Sequence, residues 1–143
     1  MFHMRYILFF LCLMFCENTL ALNGGAYSSE PKKAMTLSAV NHWFIYPFPK
    51  TALPIKDATI TKIYYQYALG QKDIPSGILI VKLCKEGLSY CVDISDSQSG
   101  STKKFQGESA NSGFFLYYKV INHSSIGFVT GSGSTKIMVN WHQ

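Results

Sequence analysis

Arginine is nearly absent: Arg5 is the one arginine in the chain of 143 residues. The planar guanidinium is the usual device for gripping phosphates and guanine edges. Without it, a basic chain is a poor nucleic-acid reader. The lysines do not replace it, because their longest runs are the pairs Lys32-Lys33 and Lys103-Lys104. The pattern fits a solvated basic surface, with attraction to an acidic partner or membrane surface still open.

Also absent are a helical apolar stripe of useful length, an internal repeat and every familiar catalytic signature. There is no G-x-S-x-G elbow, no phosphate loop and no H-E-x-x-H helix. His42, His123 and His142 stand in no nucleophile motif, and His142 reads as a solvated tail. Asp93 and Asp96 are close in sequence but form no evident acid–base dyad. These absences argue for a non-enzymatic protein with no cofactor, no metal and no small-molecule substrate.

Cysteine is scarce, with four in all. Met1–Arg5 is a short positive head, Tyr6–Phe15 (YILFFLCLMF) an apolar run, and Thr19-Leu20-Ala21 a small-residue cleavage signal. Residues 1–21 therefore read as a cleaved export signal, with the cut after Ala21. An apolar run of about ten residues is too short to span a bilayer core of about 30 Å. The expectation is a periplasmic protein without a stable membrane anchor. Cys12 and Cys16 leave with the leader, and Cys84 and Cys91 remain as one disulfide. Arg5 and Glu17 also leave together, so the net charge of +5 is unchanged.

What the chain does have is a series of short aromatic and β-branched segments in residues 22–143, the expected single domain. They are Met35–Val40, His42–Tyr46, Thr59–Ala68, Gly77–Cys84, Tyr90–Ser95, Gly113–Ile121, Ser125–Val129 and Thr135–Trp141. Pro, Gly, Ser and Asn clusters punctuate them. This predicts an all-β antiparallel β-sandwich of about seven to nine short strands. Leu22–Lys33 (LNGGAYSSEPKK) reads as a loose lead-in.

One hairpin can be read residue by residue. If Cys84 faces Cys91, then Leu83 faces Val92, Lys82 faces Asp93, and Val81 faces Ile94. Alternation then puts Leu79, Val81, Leu83, Val92 and Ile94 on one face. The other face carries the disulfide, a Lys82–Asp93 charge pair and Ser95. A slip of one residue would destroy this sorting. The disulfide is expected on the wetter face, pinning the hairpin rather than filling the core. Ile137, Val139 and Trp141 likewise sort from Lys136, Met138 and Asn140, and Ile63, Tyr65 and Tyr67 from Tyr64 and Gln66. Phe114–Tyr118 is apolar on both faces. It suits a central strand covered by loops, or one with an exposed aromatic patch.

Two sets of residues are candidate partner contacts. Gln98, Ser99, Gly100, Ser101 and Thr102 lie in the polar stretch SQSGST, which fits a binding loop and a flexible connection equally well. Trp43, Tyr46 and Phe48 lie beside two prolines and fit either core packing or contact with protein or sugar.

Tyr64–Gly70 (YYQYALG) is followed by Ser76–Cys84 ending in Leu-Cys, and then by Cys91-Val92. After them come Gln98–Phe105 (QSGSTKKF) and Ile137–Trp141 (IMVNW). In the order and spacing of these elements, the chain from Ile63 to His142 resembles the periplasmic flagellar protein FlhE family. Leu22–Asp57 aligns only loosely, and Tyr27 stands where a tryptophan is expected. The resemblance implies a β-sandwich without catalysis and a role in flagellum biogenesis. It implies either a chaperone-like function or prevention of proton leakage through the flagellar type III export system. The implied partner is a flagellar export-gate, rod or filament protein. Two other functions compete: a periplasmic lysozyme inhibitor, and a carbohydrate-binding or adhesin-like sandwich. The first uses a Ser-Gly loop, here Ser99-Gly100, but a basic inhibitor would repel basic lysozyme. The second needs a planar row of exposed aromatics.

Protein recovered from its native compartment should show no free thiol at Cys84 or Cys91 and no helical circular dichroism. Thiol labelling under denaturing conditions checks the first.

Overall fold

The computed structural model describes residues 23–50 and 56–143. The expected export signal, with its cut after Ala21, lies outside the described residues. Among the described residues ten strands form: β1 (Gly24–Ser29), β2 (Thr36–Leu37), β3 (Phe44–Pro47), β4 (Thr59–Gln66), β5 (Ile78–Lys85), β6 (Cys91–Asp93), β7 (Ser99–Thr102), β8 (Phe114–Ile121), β9 (Val129–Thr130) and β10 (Lys136–His142). The one helical piece among the described residues is a 3₁₀ turn at Gln71–Asp73.

The strands build two four-stranded sheets and a small two-stranded one. One sheet has the order β1-β10-β4-β7 and is called here the terminal sheet. The other has the order β3-β8-β5-β6 and is called the hairpin sheet. β2 pairs with β9. All pairings are antiparallel.

The hairpin register is the one expected from the cysteines. Cys84 faces Cys91, Leu83 faces Val92 and Lys82 faces Asp93. The Ile94 amide donates to the Val81 carbonyl at 2.9 Å, which extends the ladder. Leu79, Val81, Leu83 and Ile94 are buried. They join Ile60, Ile63, Ile137 and Val139 of the terminal sheet in one cluster, so the core lies between the two sheets. β8 runs between β3 and β5, as its two-sided apolarity suggested. Its inward residues Phe114, Leu116, Tyr118 and Val120 are buried, while Phe115, Tyr117 and Lys119 are half-buried on the outer face.

Tyrosines, two buried and one half-buried, tie the layers together through their hydroxyls. Tyr67 Oη donates to the Ile94 carbonyl at 2.9 Å, from the end of β4 to the loop after β6. Tyr27 Oη donates to the Ala110 carbonyl at 2.9 Å, and Tyr118 Oη to the Thr36 carbonyl at 2.5 Å. Each hydroxyl satisfies a polar group that the core would otherwise strand.

Four expectations need correction. The Leu22–Lys33 lead-in is not loose: Gly24–Ser29 pairs with β10 along its whole length, from Gly24↔His142 to Ser29↔Ile137. His142 is therefore the end of a strand, half-buried, with Nε2 3.3 Å from Thr59 Oγ1. Lys82 and Asp93 are opposed but form no ion pair. The carboxylate of Asp93 instead accepts from the Ser95 amide at 2.9 Å and the Ser95 hydroxyl at 2.6 Å. Those short local bonds are the first causes of its lowered pKa, with the charge of Lys82 the smallest. Finally, the disulfide lies on the expected outer face, but only Cys91 is half-exposed there, and Cys84 is covered. Cys84 is 1% exposed, because Phe115 faces it directly on the same side. It still stands outside the main core cluster.

Replacing both cysteines by alanine should lower stability by about 2–3 kcal/mol, the entropy of so short a loop, as read by denaturant melts. Alkaline pH should also weaken the fold. Burial pushes the Tyr27 and Tyr67 hydroxyls up from 10.0 to about 12. Below pH 10 both are neutral whether the chain is folded or not. Between those values the unfolded chain releases protons that the folded one keeps, so stability falls as pH rises through the window. An ultraviolet titration of the folded protein should show both phenols ionising late.

Candidate functional site

Two outer surfaces, one on each sheet of the sandwich, carry exposed apolar side chains. The first lies along β7. Ser99–Thr102 is not a loop but the edge strand of the terminal sheet, paired with β4 from Ile63↔Thr102 to Gln66↔Ser99. The Tyr67 amide donates to the Gln98 carbonyl at 2.9 Å, which makes that pair a hydrogen-bonded one. Antiparallel alternation then turns the backbones of Gly100 and Thr102 toward β4 and those of Ser99 and Ser101 away from it. The Ser99 carbonyl accepts from the Ser97 hydroxyl at 2.7 Å. Ser101 is exposed at the middle of the edge.

Gln98 has a different task. Its Nε2 donates to the Tyr67 carbonyl at 3.1 Å and the Ala68 carbonyl at 3.3 Å. Its carboxamide lies against Gly70, where a Cβ would collide with it. So Gln98 anchors the start of β7 rather than presenting a contact. Phe105 anchors the other end. It is fully buried, stacked on Tyr90 at 5.9 Å and edge-on to Phe114 at 6.1 Å. Gly100 sits beneath the Tyr65 ring, and a side chain there would meet Tyr65 Oη at 2.7 Å.

Beside this edge, the outer face of the terminal sheet holds a shallow groove of about 590 Å³. Tyr64 and Met138 face each other across it and Ser28, Ser99 and Ser101 keep its sides low. Tyr64 and Met138 are exposed, at 43% and 44%. Lys62 reaches over the Tyr64 ring at 5.2 Å. The groove is lined by apolar surface but bounded by hydroxyls, which suits a peptide better than a lipid tail.

The second surface is the outer face of the hairpin sheet. Trp43 and Ile45 of the β3 side stand beside Tyr117 of β8, and the Trp43 and Tyr117 rings meet edge-on at 5.7 Å. Tyr117 also meets Phe115 edge-on at 5.2 Å. Lys119 Nζ lies 4.4 Å above the Trp43 ring and Lys82 Nζ lies 5.5 Å from it. Each ammonium is drawn to the negative face of the indole.

The three aromatics grouped by sequence therefore part company. Trp43 is 38% exposed, whereas Tyr46 is 7% and Phe48 5% exposed. Tyr46 donates its hydroxyl to the Lys33 carbonyl and packs edge-on against Phe48 at 6.4 Å. Strand alternation explains the split, since residues 44 and 46 point inward and 43 and 45 outward. Tyr46 and Phe48 are core residues and cannot form an exposed aromatic row with Trp43. The outer-face side chains that sequence reasoning did not single out as candidate contacts are Ile45, Tyr64, Tyr117 and Met138. The alternation of β3, β4, β8 and β10 would have found them.

Among the described residues, the histidines do not converge on one site. His123 is exposed, His42 rests edge-on against Phe44 at 5.2 Å, and His142 is paired in β10. Among the described residues, no group of three His, Cys, Asp or Glu side chains is placed to hold a metal.

The comparisons with known proteins agree with this architecture. No curated protein sequence matches the chain. A solved structure titled "Crystal Structure of FLHE" superposes with a TM-score of 0.66 at 22% identity, covering 85% of this chain and 99% of that one. At that identity the likeness speaks for the fold. Residues 46–142, more than half of the chain, match the family described as flagellar protein FlhE. The two-sheet sandwich, the Cys84–Cys91 staple and the Ile137–Trp141 strand are thus features of a member of the FlhE family of flagellar proteins.

Proposed function

We propose that this chain is a non-enzymatic accessory factor of flagellum biogenesis. It works in the periplasm and holds an extended segment of an exported flagellar subunit along β7. Family membership supports the flagellar part. The observation that carries the holding role is the outward backbone of Ser99 and Ser101, at the rim of the groove floored between Tyr64 and Met138. An incoming strand would find backbone partners on that edge, and its alternate side chains would fall into the groove. A protein in transit through the export system is unfolded and has such segments to offer. Covering them would act as a chaperone. Occupying the exit with a covered subunit would also limit proton leakage.

The competing functions find less support. Ser99-Gly100 lies flat in β7 against Gln66 and Tyr65, not at the tip of a protruding loop as a lysozyme plug would need. A sugar platform would need Tyr46 and Phe48 on the surface, and both are buried.

Deleting the gene should impair motility or flagellar placement, or make the cell envelope leak protons. The wild-type gene should restore the normal state. Ser101→Pro should not restore it, because proline blocks an incoming strand while removing only an amide that points away from β4. Its melting curve should stay close to wild type. A cross-linker carried at Ser101→Cys should capture an exported flagellar subunit. A deletion strain with normal flagella, normal motility and no leak would refute the proposal.

A further inference from the structure

The outer face of the hairpin sheet is not used by the β7 reading, and its composition is unusual. At one end of the sheet Ile78 and Ile121 are directly paired and 63% and 43% exposed. Ile45, in β3, is 58% exposed. Trp43 stands on the same face, and the cations converge on it: Lys119 Nζ at 4.4 Å and Lys82 Nζ at 5.5 Å. The carboxylate of Asp93 stands directly opposite Lys82 on this face but is engaged by the amide and hydroxyl of Ser95.

Exposed aliphatic tips at one end of the face, and an indole with two ammonium groups drawn to its ring, combine apolar, aromatic and cationic groups on one surface. A membrane surface has a place for each. Acyl chains take the aliphatic tips, the headgroup region takes tryptophan and tyrosine rings, and lipid phosphates take lysines. The kind of cation also matters. A carboxylate at a fixed place on a protein is best gripped by the arginine fork, and no arginine occurs among residues 22–143. Lysine is a point charge on a flexible stem and suits a surface where phosphates are many and mobile. The net charge of +5 adds long-range attraction to an anionic leaflet.

We infer that this end of the hairpin sheet docks peripherally on an anionic phospholipid surface, with Ile78, Ile121 and Trp43 entering the interface and Lys82 and Lys119 moving from the indole to lipid phosphates. The docking goes beyond the flagellar reading and does not depend on it. It would hold the molecule with β7 facing away from the membrane.

Vesicle sedimentation tests it, using protein purified from its native compartment. One vesicle set is phosphatidylethanolamine with about a quarter phosphatidylglycerol, and the other is phosphatidylcholine alone. The protein should sediment with the anionic set and not with the neutral one. Added salt should release it, and tryptophan emission should shift to the blue on binding. Lys82→Gln with Lys119→Gln should weaken binding about tenfold or more. Ile78→Ser with Ile121→Ser should weaken it as well and reduce the blue shift. All four side chains lie at least partly in solvent, so unchanged melts are expected. Equal binding to both vesicle sets would overturn the inference. So would binding that both double variants retain, which would point to an uncleaved leader. A dimer in light scattering that both double variants abolish would overturn it too, since the face would then belong to a second copy.

Discussion

The structure depends on one constraint: the Leu79–Ile94 hairpin can sort its side chains in only one register. With Cys84 opposite Cys91, the aliphatic residues of both arms fall on the side where the terminal sheet supplies Ile60, Ile63, Ile137 and Val139. A shift by one residue would put Lys82 into that core and Leu83 into water. Burial of one such leucine is worth roughly 2–5 kcal/mol against truncation, and burying an unpaired ammonium costs more still. The register thus outweighs the disulfide that marks it. The covalent bond, at 2.05 Å between sulfurs, closes the hairpin already favoured by its side chains.

From that hairpin the rest follows by pairing. β5 offers its other edge to β8, and β8 in turn accepts β3. This fixes which residues of β3 face out, and so separates Trp43 from Tyr46. Across the core, β4 takes β10 on one side and β7 on the other. A bulge between Asn140 and Trp141 lets Ile60 and Ile63 both face inward despite their odd spacing. Trp141 follows Ile137 and Val139 by ordinary alternation along β10 and packs against the core. Both candidate surfaces are therefore outer faces of sheets whose inner faces are fully committed. Their exposed apolar groups have nowhere else to go.

How much of this could be read from the sequence depends on side-chain size. Strands with a bulky alternating pattern, such as β4, β5, β8 and β10, stand out because one face must be buried. The strands that escaped notice are β1 and β7, whose sequences are GGAYSS and SGST. Glycine and serine carry no pattern and little strand preference. These segments extend because a neighbour offers backbone hydrogen bonds: β10 for one, β4 for the other. Gly100 is even required, since Tyr65 lies over it. The Lys82–Asp93 contact failed for a related reason. Sequence register gives opposition, but a serine two residues away makes a shorter and less costly bond than a flexible lysine can.

Edges that sequence cannot see are also the edges best suited to a guest. A strand rich in bulky residues at the rim of a sheet would pair with any similar chain and aggregate. β7 avoids this with serine and glycine, whose small side chains give weak self-pairing but leave the backbone open. Gln98 and Phe105 hold its two ends, so the open stretch is short and fixed in direction. Such an edge adds little affinity of its own, and selectivity must come from side chains that reach the groove between Tyr64 and Met138. A guest with alternating apolar residues gains both contributions, whereas a folded protein has no free strand to present. In the proposed holding role, such an edge would discriminate by folding state before it discriminated by sequence.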